Sequence, residues 1–281
     1  MVYSTLISTS LLGLNLTHPD WVVVDCRFDL NQPDWGREDY LKGHIPGAVY
    51  AHLAADLSGL VNPKTGRHPL PNPQDFIRLI SNWGINQKKQ VIAYDTTGGS
   101  FAARLWWLLR CYGHQNVAVL NGGYTKWLSE NRPIHTGYDA QNSSVFEGSI
   151  NNSCFASDQE VDLIRSNPGF LLIDARAKER FLGEQEPIDP IAGHIPGAVN
   201  RPYALNLNSD STFLPPKVLE SEFNELLGKI EPNKVVIYCG SGVTSCHHLL
   251  AMEYIGMKGA RLYPGSWSEW IRDPNHLIAL G

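Results

Sequence analysis

Gly43-His44-Ile45-Pro46-Gly47-Ala48-Val49 recurs without change as Gly193-His194-Ile195-Pro196-Gly197-Ala198-Val199, and this identity decides how the rest of the chain is read. Working outward, each copy is preceded by an apolar run that ends in Asp-x-Arg. One is Trp21-Val22-Val23-Val24-Asp25-Cys26-Arg27, the other Phe170-Leu171-Leu172-Ile173-Asp174-Ala175-Arg176. Each copy is followed by a second apolar run, Val91-Ile92-Ala93-Tyr94-Asp95 in one half and Val235-Val236-Ile237-Tyr238-Cys239 in the other. Each half then closes on a small-residue turn and a tryptophan, Gly122-Gly123-Tyr124-Thr125-Lys126-Trp127 and Gly265-Ser266-Trp267-Ser268-Glu269-Trp270. Four anchors repeating in the same order mark a duplicated domain.

Short Val- and Ile-rich runs bounded by turn residues read as buried parallel strands. Between them, Pro73–Trp83, Ser100–Tyr112, Leu219–Leu227 and Val243–Ile255 have the composition of helices. Strands alternating with helices predict an α/β fold with a mainly parallel sheet in each half. At 281 residues the chain suits two such domains better than one core. The stretch between the halves is poor in aliphatics and rich in Asn, Ser and Gly, as in an interdomain connection. The boundaries expected are 1–135, a linker over 136–157, and 158–281.

Composition narrows the function classes. A hydrophobic share of 43%, a charged share of 18% and a net charge of −5 are those of a soluble globular protein with no bulk attraction to nucleic acid or an anionic membrane. No apolar run reaches the ~18 residues of a membrane span. The first residues carry no basic leader and read as folded structure, not as a signal peptide. The five cysteines are scattered, without disulfide-framework or zinc spacing, which predicts free thiols, a cytoplasmic setting and no metal.

Chemistry is expected where the halves differ. Gly-His-Ile-Pro-Gly-Ala is a turn present in both, so His44 and His194 are assigned to scaffold. At the end of the second apolar run the first half has Asp95 and the second has Cys239, followed by Gly240-Ser241-Gly242-Val243-Thr244-Ser245 and a helix. Backbone N–H groups of such a loop, with the helix N-terminus behind them, stabilise a thiolate and make it a nucleophile near neutral pH. Cys246, one to two turns on, reads as packing, as do Cys26 and Cys111.

With these residues in view, the chain resembles the tandem rhodaneses, and its loop Cys239-Gly240-Ser241-Gly242-Val243-Thr244 resembles that of the 3-mercaptopyruvate sulfurtransferases. Thiosulfate-using relatives carry Arg-Lys where this chain has Gly240-Ser241. The resemblance implies two rhodanese-like domains, the first lacking the cysteine, and a cofactor-free, metal-free enzyme. Sulfur would pass from a small anionic donor, preferentially 3-mercaptopyruvate, through a Cys239 persulfide to cyanide, a small thiol or a thioredoxin-like acceptor. The alternatives it leaves are a thiosulfate:cyanide sulfurtransferase and a persulfide carrier with little turnover. Amides of Gly240, Ser241, Gly242, Val243 and Thr244 would hold the persulfide, and Arg180 would bind the donor's anionic end.

By the same resemblance Ser241 and His68 take part in proton transfer, His68 being placed in the first domain; for His68 a loop-capping role stands equally open. Asp56 is the nearest aspartate to a third position and reads better as a turn residue. The second arginine that mercaptopyruvate enzymes present before Gly-His-Ile-Pro-Gly is missing from Glu184 to Ala192, and Arg201 is the substitute weighed. That absence weighs against mercaptopyruvate, but Gly240 and Ser241 leave no positive side chain beside Cys239, and this is the basis for preferring a monoanionic donor. A cysteine phosphatase is disfavoured because Cys-x5-Arg is absent: the sixth residue after Cys239 is Ser245.

Overall fold

The computed structural model describes residues 2–139 and 141–281, which divide into two compact units. Unit 1 holds the described residues of Met1–Gly59, Leu70–Asn151 and Asn208–Phe213; unit 2 holds Leu60–Pro69, Asn152–Leu207 and Leu214–Gly281. Two short segments thus pack away from their neighbours in sequence, and the one containing His68 belongs to the unit of Cys239 instead of the first domain.

In unit 1 the elements run β1 (Leu6–Ile7), α1 (Thr9–Asn15), β2 (Trp21–Asp25), α2 (Trp35–Lys42), β3 (Ala48–Tyr50), α3 (Pro73–Asn82), β4 (Gln90–Tyr94), α4 (Ala102–Cys111), β5 (Val117–Leu120) and α5 (Gly123–Ser129). The sheet is parallel throughout, in the order β1-β5-β4-β2-β3. All of β4 and β5 is buried, which is why residues 91–94 and 117–120 are unbroken apolar runs without alternation. α3 starts as its sequence predicts: the Asn72 side chain accepts from the Gln74 and Asp75 amides, and Pro73 takes the first turn. α4 is buried on almost every residue, including Arg104, so its sequence shows no polar face. Ser144 and Asn151, in the expected linker, bond to Ser81 and Cys111 of unit 1.

Unit 2 repeats the plan with α6 (Asp158–Ile164), β6 (Leu171–Asp174), α7 (Lys178–Leu182), β7 (Val199–Asn200), α8 (Pro216–Leu227), β8 (Val235–Tyr238), α9 (Ser245–Tyr254), β9 (Arg261–Leu262) and α10 (Ser266–Trp270). Its sheet, also parallel, has the order β7-β6-β8-β9, and a bridge from Phe155 to Leu262 stands where β1 pairs with β5 in unit 1. The α/β class and the parallel sheets flanked by helices are those read from the sequence. α9 begins at Ser245, two residues later than expected, because Val243 and Thr244 belong to the cysteine loop.

The repeated motifs belong to one buried device. In unit 1 the Arg27 guanidinium grips Asp25 through Nε and Nη2, donates from Nη2 to the Gly43 carbonyl at 2.7 Å, and pairs with Asp39. Tyr94 donates to Asp25 at 2.6 Å and its hydroxyl accepts from the Ile45 amide. Arg176 repeats this with Asp174 and the Gly193 carbonyl at 2.6 Å, and Tyr238 receives the Ile195 amide. Asp-x-Arg therefore ties a strand end to the Gly-His-Ile-Pro-Gly turn, whose second glycine has φ +78° in unit 1 and +86° in unit 2.

Burial also sets an acid sensitivity. His114 is buried, and that desolvation lowers its pKa from 6.5 to about 4. Between those values the unfolded chain takes up a proton that the folded chain does not. Stability is then lost as pH falls from 6.5 and the loss is complete near 4, at about 3 kcal/mol in all. Unfolding free energies of His114→Gln across this window should show a correspondingly shallower acid slope than the parent. Equal slopes would remove His114 as its cause.

Candidate active site around Cys239

Cys239 follows the last residue of β8 at the carboxyl edge of the sheet, where parallel α/β folds present ligand groups. Its own amide donates to the Ser266 hydroxyl at 3.1 Å, and its carbonyl accepts from the Trp267 amide at 3.0 Å. The backbone at the cysteine is thus fixed by the turn into α10. Gly242 turns the loop with φ +76°, and a Cβ there would lie 2.2 Å from the Pro264 carbonyl oxygen, so only glycine fits.

The Cys239 side chain is 2% exposed. Burial by itself raises a thiol's pKa, yet that of Cys239 is lowered below the usual range of 9.0. The opposing causes are hydrogen bonds from the Ser245 and Thr244 hydroxyls and from the Ser241 and Ser245 amides. Four donors converge on one sulfur, and donors to the charged form favour it. Among the other cysteines, Cys26 is buried beside carboxylates and pushed well upward, and Cys246 gives its thiol to the Gly242 carbonyl. None of the five cysteines is in a disulfide.

Unit 1 contains the same loop with its anion built in. Asp95 occupies the position of Cys239, and its carboxylate accepts the amides of Thr97, Gly99, Phe101 and Ala102 at 2.8–2.9 Å. The Tyr124 amide donates to the Asp95 carbonyl as the Trp267 amide does to that of Cys239. The duplicated loop is therefore a nest of amides that encloses a negative charge.

Around the cysteine, His68 Nδ1 lies 2.8 Å from Ser241 Oγ, both groups buried. Arg180, on α7, is held by Glu186 at 2.7 Å and by Asp189 at 3.1 Å. Both of these carboxylates are buried. A Cβ on Gly240 would lie 3.5 Å from both terminal nitrogens of Arg180, which puts that guanidinium beside the loop.

The same Cβ would lie 2.9 Å from Nη2 of Arg67, a residue the sequence reading passed over. Arg67 pairs with Asp189; burial lowers its pKa, and the nearby Cys239 opposes that shift. The expectation that no positive side chain stands beside Cys239 is thus corrected. The available signal was adjacency to His68 in Gly66-Arg67-His68-Pro69, which spacing alone does not connect to residue 240.

The remaining candidates are accounted for elsewhere. Arg201 is buried in a network with Asn206, Glu222 and His248 and lies over the Phe223 ring, so it does not replace the missing arginine. The Asp56 carboxylate accepts the His52 amide at 2.7 Å, which closes a turn. His44 and His194 bond through Nδ1 to the Tyr40 and Phe181 carbonyls and stack on those same rings. His44 and His135 both bond to Asp139, and these three bring potential metal-ligand atoms within 4.8 Å of one another. No helix among the described residues is long and apolar enough to cross a membrane.

The chain is similar to known proteins over most of its length. The model of the rhodanese-like domain matches residues 8–130 and again 157–273. A Pseudomonas aeruginosa protein named "Probable 3-mercaptopyruvate sulfurtransferase" is 43% identical over 283 residues, covering 100% of both chains. The thiosulfate sulfurtransferase of Rattus norvegicus is 31% identical, covering 97% of this chain and 93% of its own. Among solved structures, the 3-mercaptopyruvate sulfurtransferase from Leishmania major superposes with a TM-score of 0.84 at 27% identity, over 95% of this chain and 74% of that one. With two rhodanese-like regions that span most of its length and relatives of this kind over the whole of it, the chain belongs to the rhodanese family, as a tandem-domain sulfurtransferase.

Proposed function

We propose that the protein moves sulfane sulfur from a small monoanionic donor, preferentially 3-mercaptopyruvate, through a persulfide on Cys239. The observation that carries this reading is the lowered pKa of a buried thiol surrounded by four hydrogen-bond donors. The Cys239 thiolate attacks the donor sulfur, forming an S–S bond as the donor's C–S bond breaks. The departing electron pair becomes an enolate, which takes a proton through Ser241 and His68 to leave as pyruvate. The loop from Gly240 to Ser245 then holds the persulfide anion with the donors that held the thiolate. A small thiol, cyanide or a thioredoxin-like protein attacks the outer sulfur and restores the Cys239 thiolate.

Charge supports the choice of donor. Arg67, Arg176 and Arg180 are set against Asp174, Glu186 and Asp189, so the surrounding side chains balance before the thiolate is counted. A thiosulfate dianion would bring two further negative charges into a buried site that is already negative. Mercaptopyruvate brings one, and its leaving group finds a proton relay. Steady-state kcat/KM measured side by side is expected to be higher for mercaptopyruvate, with turnover sustained by a small thiol acceptor. A higher value for thiosulfate would overturn the donor assignment, and one burst without turnover would make the protein a carrier.

A further inference from the structure

Residues 60–69 lie on the turn that fixes the cysteine. A Cβ on Gly66 would meet the Gly265 carbonyl oxygen at 2.5 Å, and the Arg67 amide donates to the Ser268 hydroxyl at 3.1 Å. Ser268 in turn donates its amide to the Gly240 carbonyl at 2.9 Å. The backbone of Arg67 is therefore anchored through one residue to the catalytic loop, and its guanidinium reaches back over Gly240.

Gly240 does not have the left-handed backbone that reserves Gly242 for glycine. Its lack of a side chain matters for space instead. The volume a Cβ would occupy is bordered by Arg67 Nη2 at 2.9 Å and by both Arg180 terminal nitrogens at 3.5 Å. Asp189, 7% exposed, bridges the two arginines, one carboxylate oxygen to each. Two guanidiniums that share one carboxylate beside the thiol have the chemistry to take a donor's carboxylate as well.

We propose that Arg67 is the second donor-binding guanidinium of this enzyme, and that Arg67 and Arg180 together take the carboxylate and adjacent oxo group of a 2-oxo-3-thiol acid beside Gly240, where a side chain would collide with Arg67. Asp189 keeps the two side chains aligned between turnovers and gives up part of its hold as the donor enters. The arginine missing from residues 184–192 is thus supplied from residues 60–69. This inference rests on Cys239 being the sulfur acceptor, and the experiment separates the two.

The rate of Cys239 persulfide formation, read as a gain of about 32 Da in single-turnover mixtures, is to be followed against mercaptopyruvate and thiosulfate concentration. Arg67→Gln is expected to raise the half-saturating mercaptopyruvate concentration about 10- to 100-fold with a smaller change in limiting rate. Arg67→Lys should restore part of the loss. Gly240→Ala places a methyl group against a flexible side-chain end, so it should fold and weaken donor binding, and add little when Arg67 is already Gln. Normal Cys239 loading with unchanged half-saturation in Arg67→Gln, or in Gly240→Ala should the former fail to fold, overturns the role of Arg67 while leaving the persulfide reading intact. A larger loss with thiosulfate than with mercaptopyruvate overturns the donor class. A parent protein that never loads Cys239 with either donor removes the proposed function, and this inference with it.

Discussion

Cys239→Ser is expected to lower sulfur transfer at least about a thousandfold while the fold persists. Serine keeps the shape of the side chain and can still meet the Ser245 hydroxyl, but an alkoxide does not form near neutral pH and an oxygen cannot carry sulfane sulfur. Of the other thiols, Cys26 is buried with its pKa pushed well upward and Cys246 is fully buried and bonded to a carbonyl, so neither can substitute. Incubation of the parent with donor alone should load one sulfur, on the peptide that contains Cys239. Persulfide on Cys26 or Cys246, or substantial transfer by the serine variant, would sink the assignment. Because the Cys239 pKa is lowered, the rate of persulfide formation should reach its plateau at a lower pH than an ordinary thiol would give.

The second large effect concerns the scaffold. Arg27→Met should destabilise unit 1 by about 3–5 kcal/mol, the cost of leaving one member of a buried ion pair without its partner. Arg27 and Asp25 are both 0% exposed, and the same guanidinium holds the Gly43 carbonyl and lies over the Tyr124 ring. Burial already raises the Asp25 pKa against the pull of Arg27, so without the arginine this carboxyl should take up a proton on folding. The loss should then shrink as pH falls toward the carboxylate range, since the unfolded chain becomes protonated there as well. Denaturant titrations at two pH values test both statements. A loss under about 1 kcal/mol would mean that the turn is held without its arginine.

Much of this was legible in the chain. The duplication was visible because buried ion pairs and glycine turns tolerate few residue types, so both halves kept Asp-x-Arg and Gly-His-Ile-Pro-Gly. Cys239 stood out because it interrupts that sameness at the loop where the first half has Asp95. Arg67, Glu186 and Asp189 were not legible in the same way. Their roles depend on where residues 60–69 and 184–192 pack, and no hydrophobic period or turn signal encodes that. The packing of 60–69 with the second unit was hidden for the same reason: a Gly-Arg-His-Pro stretch reads as a loop wherever it lies. Arg201 was considered because it follows the repeated turn in sequence, but its guanidinium is spent on Asn206 and Glu222.

Asp95 gives the two loops different thermodynamic lives. In unit 1 the enclosed charge is a permanent part of the polymer, so the amides are saturated at every moment and the loop is a closed account. In unit 2 the enclosed atom is a sulfur, and in the proposed cycle the same donors would accommodate thiol, thiolate and persulfide in succession. One copy of the duplicated plan is thereby at rest, while the other would be left slightly unfinished by each release of sulfur. On that reading the two demands that a single anion-holding loop would otherwise meet at once are divided between the copies: a charge that secures the fold, and a charge that can be given away.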